Sequence, residues 1–342
     1  MAKARVSIND IAKNLNISKT TVSFILNGKA KEKRISDKLV KKVLLKVQEL
    51  EYHPNQLAQG LRTGKTNIIG LMVEDISNPF YASIAKLIED KAYNNNYKII
   101  YCSTENNKTR AKEFLRMFTT LGVDGCIIAP TMGIEKEINT LINAGMNIVL
   151  FDRKFENMST DVVMVNNREG MYTATEHLIN RGYKNIGLIA LALDKPEKED
   201  RIIGYQEAMK HHHLTPLVFA FPFKSNLHDY VDDIKQIIEK NNDLEALVFG
   251  TNYLAISGLE AITSLNLKIP DDMAIVAFDD HDLFRIHKPD ITVVAQPIET
   301  IAQIAIDTLL RKLQTKESDR VNDTINLSTT LIPRGSSQKS KR

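Results

Sequence analysis

Lys19, Thr20, Ser23, Phe24 and Asn27 lie within nine residues and fall on one side of a short helix with the sequence "KTTVSFIL". A cation, small hydroxyls, an amide and one aromatic ring form a surface suited to the major groove of DNA. The N-terminal residues of such a helix reach base edges, and Lys19 and Ser18 can hold phosphates. A second set of chemical groups follows a series of apolar runs: Asp75, Asn78, Phe80 and Tyr81, then Asp152 and Arg153. Further along come Arg201, Thr251, Asn252, Asp279, Asp280 and Gln296. Carboxylates, amides and guanidiniums beside an aromatic ring are what a hydroxyl-rich small molecule requires. Each of these residues taken singly also suits a helix cap or a loop turn.

The elements that would carry the first set are three short helices. Ser7, with Asp10 three residues on, is a capping-box pattern that predicts a helix with Ile11, Ala12 and Leu15 on one face. Asn16-Ile17 forms a tight turn, and Ser18 caps a second helix over 19–26 whose inward residues are Val22, Ile25 and Leu26. Both helices are too short to be stable alone. The segment 36–50 supplies their partner, capped by Ser36 and striped with Leu39, Val43, Val47 and Leu50. The product is a helix-turn-helix unit, although a plain three-helix core with one exposed polar helix fits the same pattern. Next, "YHPNQLAQGLRTGK" predicts a marginal helix whose Leu57, Ala58 and Leu61 have no local apolar partner. Its "GLRTGKT" is not a phosphate loop, because the glycine spacing is too short and the segment precedes a strand.

Charge separates this head from the rest of the chain. The whole chain of 342 residues carries a formal +3, yet residues 1–65 hold 14 basic and 5 acidic residues, a net +9. Residues 66–333 hold 27 basic and 37 acidic residues, a net −10, and the tail 334–342 adds four positive charges. A basic head on an acidic body points to a polyanion partner for the head alone, and a solvated basic surface is the plainer alternative. The start, "MAKARVS", lacks the apolar core of a signal peptide, and no apolar run reaches the length of a membrane span. Cys102 and Cys126 sit in apolar runs, so a disulfide framework is not expected and a reducing cytoplasm fits.

The second set sits on alternating strands and helices. Strands are predicted at 68–73, 98–103, 125–130, 147–151, 162–165, 186–190, 217–223, 246–250 and 274–278, mostly with helices of ten or more residues between them. Alternation of this kind implies doubly wound parallel sheets of the α/β class. Nine strands exceed one comfortable core, so two lobes are expected, with a crossover near 152–161. In such sheets ligands bind where loops converge at the C-terminal ends of the strands, and two facing lobes would share one cleft. "HHH" at 211–213 closes a predicted helix, where consecutive side chains point different ways, so an exposed helix end is expected there in place of a metal site.

Together these motifs resemble the lactose-repressor (LacI/GalR) family of bacterial transcription regulators, essentially from end to end. The specific segments are "INDIAKNLNISKTTVSFILNG", "Y-x-PNQLAQGLR", "IGLMVEDISNPFYASI", "DGCIIAP", "VLFDR", "DRIIGYQEAM", "AIVAFDD" and "TTLIPRGSS". The resemblance implies a helix-turn-helix head over 1–53, a hinge helix and linker over 54–66, and a two-lobed effector-binding and dimerisation domain over 67–334. That domain would be like periplasmic sugar-binding proteins of type I, and 335–342 would be a disordered basic tail. It implies a homodimer on a near-palindromic operator, with a small sugar, sugar acid or sugar phosphate as effector. No catalytic group, metal or cofactor is expected.

By the same resemblance the base-reading positions fall on Lys19, Thr20 and Phe24. Ser18, Thr21, Ser23 and Asn27 support them or contact phosphates, and Tyr52, Asn55, Ala58 and Leu61 also belong to the DNA-binding set. Leu61 matches a minor-groove wedge, beside Gly60 where a better helix former is usual. Relatives often carry Arg or His at the position of Phe24. Phe cannot hydrogen-bond a base edge, so it is expected to pack on thymine methyls, unless it turns into the head's own core. Arg201 and Asp279 fall where sugar hydroxyls are held, and Asn78, Phe80, Asp152 and Gln296 line the same cleft. A common Asn-Asp pair is Thr251-Asn252 here, so one carboxylate is lost. With Arg153 and Arg201 present, that loss favours an anionic sugar. The C-terminal segment carries no leucine heptad, so a dimer is expected in preference to a tetramer. The alternatives are a sugar-binding transport protein, or a sugar-active enzyme with an accessory basic head.

Overall fold

A computed structural model of the chain describes residues 6–52, 65–156, 158–192, 199–224, 226, 228–315 and 322–338. The chain divides into two compact units, Met1–Thr66 and Asn67–Arg342.

In the first unit, α1 (Ile8–Leu15) opens where the Asp10 carboxylate accepts from the Ser7 backbone amide at 2.8 Å and from the Ser7 hydroxyl at 2.7 Å. These hydrogen bonds hold the Asp10 carboxyl below the usual range. The helix stops at Asn16, whose φ of 51° is the left-handed conformation that Asn tolerates better than most residues, and the chain turns there. α2 (Lys19–Leu26) starts at Ser18, whose Oγ accepts from the Thr21 amide at 3.0 Å. α3 (Asp37–Glu49) also begins after a serine, but Ser36 makes no side-chain capping bond, so this expected cap is not formed. Ile11, Ala12, Val22, Ile25 and Val43 are buried together, with Leu15, Leu26, Leu39, Val47 and Leu50 packed around them. Burying an aliphatic side chain is worth about 1.5–3 kcal/mol, so so small a core leaves each helix dependent on the other two.

The second unit runs β1 (Ile68–Val73), α4 (Pro79–Asn94), β2 (Lys98–Ser103), α5 (Lys108–Leu121), β3 (Gly125–Ile128), α6 (Glu135–Asn143), β4 (Asn147–Phe151) and β5 (Asp161–Val165). It continues with α7 (Asn167–Asn180), β6 (Ile186–Leu191), α8 (Asp200–His211), β7 (Leu217–Phe221), α9 (Asp229–Lys240), β8 (Ala246–Phe249), α10 (Asn252–Ser264) and β9 (Ala274–Phe278). The last elements are α11 (Asp282–Ile286), β10 (Thr292–Ala295), α12 (Ile298–Gln314), β11 (Thr324–Leu327) and β12 (Thr330–Ile332). Two six-stranded sheets result, ordered β11-β5-β4-β3-β1-β2 and β12-β10-β9-β8-β6-β7. Each pairing is parallel except that of β12 with β10. The strands read as apolar runs because both faces of each sheet are covered by helices.

Two expectations about organisation are corrected. The crossover does not lie at 152–161, because β5 pairs with β4 in the first sheet, Leu150 opposite Val162. The chain passes between lobes three times: after β5, between β10 and α12, and between β11 and β12. β11 is anchored to the first lobe through Lys312 on α12, which donates to the buried Asp161 carboxylate and to Asn322 Oδ1 at 2.9 Å. The second correction concerns the tail, since 335–337 is an ordered 3-10 turn. Ser336 Oγ donates to the Ile275 carbonyl at 2.7 Å and accepts from the Thr292 amide at 2.8 Å, while the Arg334 guanidinium grips both oxygens of Asp280 at 2.9 and 2.7 Å. Residues 339–342 lie outside the described residues.

Candidate effector cavity and DNA-reading helix

The C-terminal strand ends of the two lobes enclose a cavity of about 620 Å³. β4 and β9 hold the same place in their respective sheets, and each ends in a phenylalanine followed by an aspartate. Asp152 and Asp279 share the left-handed conformation, with φ of 68° and 70°, in which Asp is tolerated better than most side chains. The two carboxylates therefore enter the cavity from corresponding points of the two lobes.

Their surroundings differ. Asp152 accepts from the Tyr81 hydroxyl at 2.8 Å. Beside it, Arg153 pairs with the buried Glu74 carboxylate at 2.6 Å and donates to Asn106 Oδ1 at 2.9 Å. Burial opposes the charge on Arg153, and Glu74, Tyr81 and Asp152 more than offset that, so it stays a cation. Burial also pushes the Tyr81 hydroxyl well up, with Asp152 and Glu74 adding to the shift, so this phenol is a hydrogen-bond donor and never an anion near neutrality.

In the second lobe, burial raises the Asp279 carboxyl above its ordinary range, while Arg201 and a hydrogen bond from Gln296 Nε2 at 2.5 Å work against the rise. Asp152 across the cavity adds to it. Arg201 is fixed on three sides: Nε donates to Asn167 Oδ1 at 2.8 Å, Nη1 donates to the Gly250 carbonyl at 2.5 Å, and the guanidinium lies 3.9 Å from the centroid of the Phe278 ring. It is thus oriented before any ligand arrives, which is the condition for a selective contact.

Of the residues expected in the cleft, Asn78, Phe80, Asp152, Arg153, Arg201, Asp279 and Gln296 line it. Asp75 does not: its carboxylate accepts from the Ser77 amide at 2.8 Å and the Ser77 hydroxyl at 2.7 Å, closing a local turn. Asn252 is also absent from the lining. It is buried, and its Nδ2 donates to Asn78 Oδ1 at 2.9 Å, joining the second lobe to the first. Among the described lining residues, seven carboxylates face three basic side chains, and both arginines are already committed to protein partners.

Sequence reasoning missed Glu74, Asn167, Glu199, Asp200 and Tyr253, which all line the cavity. Glu74 directly follows β1, so the rule that found Asp152 also points to it. Tyr253 carried no such signal. Its hydroxyl is buried, with the Thr251 side chain beside it.

On the head, Ser18, Lys19 and Thr20 are exposed, while Thr21, Ser23, Phe24 and Asn27 are half-buried. Asn27 Nδ2 donates to the Ser23 carbonyl at 2.6 Å and to Ser23 Oγ at 3.2 Å, so this pair closes the end of α2. Phe24 does not join the head's core, and Lys33 Nζ stands 5.5 Å from its ring centroid. Tyr52 packs against that core. Asn55, Ala58 and Leu61 lie outside the described residues, as does most of the expected hinge helix.

A three-helix reading head joined to a two-lobed cavity domain defines a ligand-responsive regulator. Residues 7–55 match the model for bacterial regulatory proteins of the lacI family, and residues 175–337 match that for a periplasmic binding protein-like domain. The transcriptional regulator RegA of Clostridium saccharobutylicum is 30% identical over 321 residues, spanning 92% of this chain and 95% of its own. The transcriptional repressor PurR of Aliivibrio salmonicida is 28% identical over 318 residues, covering 92% and 94%. Among crystal structures, the lac repressor dimer bound to operator and an anti-inducer shares the fold, with a TM-score of 0.80 at 20% identity over 97% of this chain and 99% of that one. A ribose-bound LacI family regulator from Enterococcus faecium has a TM-score of 0.69 at 25% identity, covering 79% of this chain and 98% of that one. The chain belongs to the LacI family of bacterial transcription regulators. Membership sets aside the transport-protein and enzyme alternatives. Among the described residues no helix is long and apolar enough to cross a membrane.

Proposed function

We propose that this protein is a transcriptional repressor that binds a near-palindromic operator as a homodimer in the cytoplasm, and that a small hydroxyl-bearing effector controls its DNA affinity. The observation that carries this reading is the cavity at the junction of the lobes, with Asp152 and Asp279 entering from corresponding strand ends and Arg201 held ready between Asn167 and Gly250. A carboxylate accepts from two neighbouring hydroxyls and a guanidinium donates in a fixed fork, which together suit a sugar. The surplus of carboxylates favours a neutral effector over a uronate or a sugar phosphate, and the Tyr253 hydroxyl supplies one further polar contact. An effector that touches both lobes changes their separation. Coupling of this kind shifts operator affinity by about 5–150-fold, or 1–3 kcal/mol.

On the DNA side, Lys19, Thr20 and Phe24 read bases, with Ser18 and Thr21 at the phosphates. The expected hinge residues Asn55, Ala58 and Leu61 complete the contact. The test is selection of genomic fragments by the purified full chain, followed by a calorimetric screen of neutral sugars, ribose first, against their phosphates. Sequence-selective retention together with saturable binding of a neutral sugar supports the reading. Failure to select any DNA at low ionic strength removes the regulator reading, and exclusive binding of sugar phosphates removes the effector assignment.

A further inference from the structure

The end of α8 remote from the cavity carries a cluster that the regulator reading does not use. Glu176 on α7, His211 at the last turn of α8 and His212 just beyond it each offer one ligand atom, and these atoms all lie within 4.8 Å of one another. Neighbouring residues on a helix diverge, which is why the sequence argued against a metal here. The helix ends at this point, however, and His212 no longer continues it. The two imidazole rings sit 5.2 Å apart, whereas His213 turns away with a φ of 58° and joins no such group.

We propose that Glu176, His211 and His212 form a binding site for a divalent transition-metal ion of the zinc type, which ties α7 to α8. Two imidazoles and a carboxylate are a common donor set for such an ion, with water free to take the fourth position. His212 Nε2 lies 3.5 Å from Glu176 Oε1. Two ligands bound at 2.0–2.1 Å in a tetrahedron stand about 3.3–3.4 Å apart, so this edge is nearly formed. His212 Nε2 is shut off from solvent with no hydrogen-bond partner, an orphaned nitrogen that a metal would satisfy. The Tyr172 hydroxyl holds His211 Nδ1 at 2.5 Å and lies 3.4 Å from Glu176 Oε1, an outer contact that fixes the His211 ring beside the carboxylate.

The site has a structural consequence. At the cavity end the same two helices are already locked: Arg201 on α8 donates to Asn167 on α7, and a Cβ on Gly204 would stand 2.0 Å from the Arg168 carbonyl oxygen. An ion at the opposite end fixes the pair at both ends.

The experiment is equilibrium dialysis of the untagged full chain against zinc chloride in excess magnesium, with metal counted per chain. Cobalt(II) substitution then provides the visible bands of a tetrahedral centre. One ion per chain, with tetrahedral cobalt bands and a raised melting temperature, is the expected result. His211→Gln, at an exposed side chain, should weaken binding at least tenfold while leaving the metal-free melting temperature unchanged. Glu176→Gln should do likewise, and His213→Ala should bind as the parent does. No stoichiometric binding by the parent chain, or binding undiminished in His211→Gln and Glu176→Gln, would overturn the proposal.

Discussion

Replacing Arg201 tests whether the cavity is organised before ligand binds. In Arg201→Met the apolar stem can still rest on Phe278, but the donors to Asn167 Oδ1 and the Gly250 carbonyl disappear, together with the positive charge near the buried Asp279. A hydrogen bond from a charged group contributes about 1.5–3 kcal/mol, and cavity water can replace part of each lost bond. Loss of the cation also leaves Asp279 without its favourable neighbour, an effect of the same sign. The expected destabilisation of the full chain is about 2–4 kcal/mol, read by urea unfolding monitored through tyrosine fluorescence and circular dichroism. Arg201→Lys keeps the charge but cannot reach both acceptors in a fork, so it should recover about half of the loss. Effector affinity should fall in both variants. If Arg201→Met unfolds within about 0.5 kcal/mol of the parent, the guanidinium is not fixed by these partners and the argument for a preformed site is wrong.

Other perturbations follow from the same residues. Asp279→Asn keeps an acceptor for Gln296 and a residue that tolerates the left-handed backbone, so it should abolish effector binding while raising stability at neutral pH. The sign follows from burial raising the native carboxyl above its unfolded value of 3.8: the parent gains stability as pH falls from the raised native value towards 3.8, so the variant's advantage should shrink over that window in acid titrations of the melting temperature. Lys312→Met strands Asp161 in the interior and should cost roughly 3–5 kcal/mol, and double substitution with Asp161→Leu should restore part of it in a double-mutant cycle. Phe24→Arg should change the preferred base at one position of each half-site in operator selection. An unaltered consensus would show that Phe24 does not face the bases.

The periodicities that reveal this fold in the sequence are those fixed by local chemistry. Ser7 with Asp10, and Ser18 with Thr21, close their caps within three residues, so α1 and α2 start where the pattern predicts. β1, β4 and β9 are largely apolar runs buried between helices, and their limits, like those of the more exposed edge strand β2, coincide with those predicted. β10 and β11 are only four residues each and β12 three, with polar residues among them; they owe their existence to the sheets they join and lack a local signature. The same reason hid the crossover, because β5 belongs to the first lobe through its pairing with β4 and not through anything in 152–161.

The cavity shows the same division. Strand-end residues such as Asp152 and Asp279 were found because topology places them there. The strand-end rule points to Asp75 as a lining residue, whereas Glu74, one position earlier, is the group that reaches Arg153. A shift of one residue at a strand end exchanges two side chains, and only the pairing register decides between them. The sequence points to Asn252 as a ligand contact, whereas its side chain serves the contact with Asn78, a distinction that depends on how the two lobes meet.

The threefold passage between the lobes bears on how the molecule is made. The first lobe begins at residue 68 yet lacks its edge strand until 324–327 has been synthesised, and the second sheet is closed only by 330–332. Neither half can be finished before residues 324–332 have been made, and both reach completion within a few codons of each other. Newly made protein therefore acquires its ligand sensor in one late event, after its basic front end has long since left the ribosome.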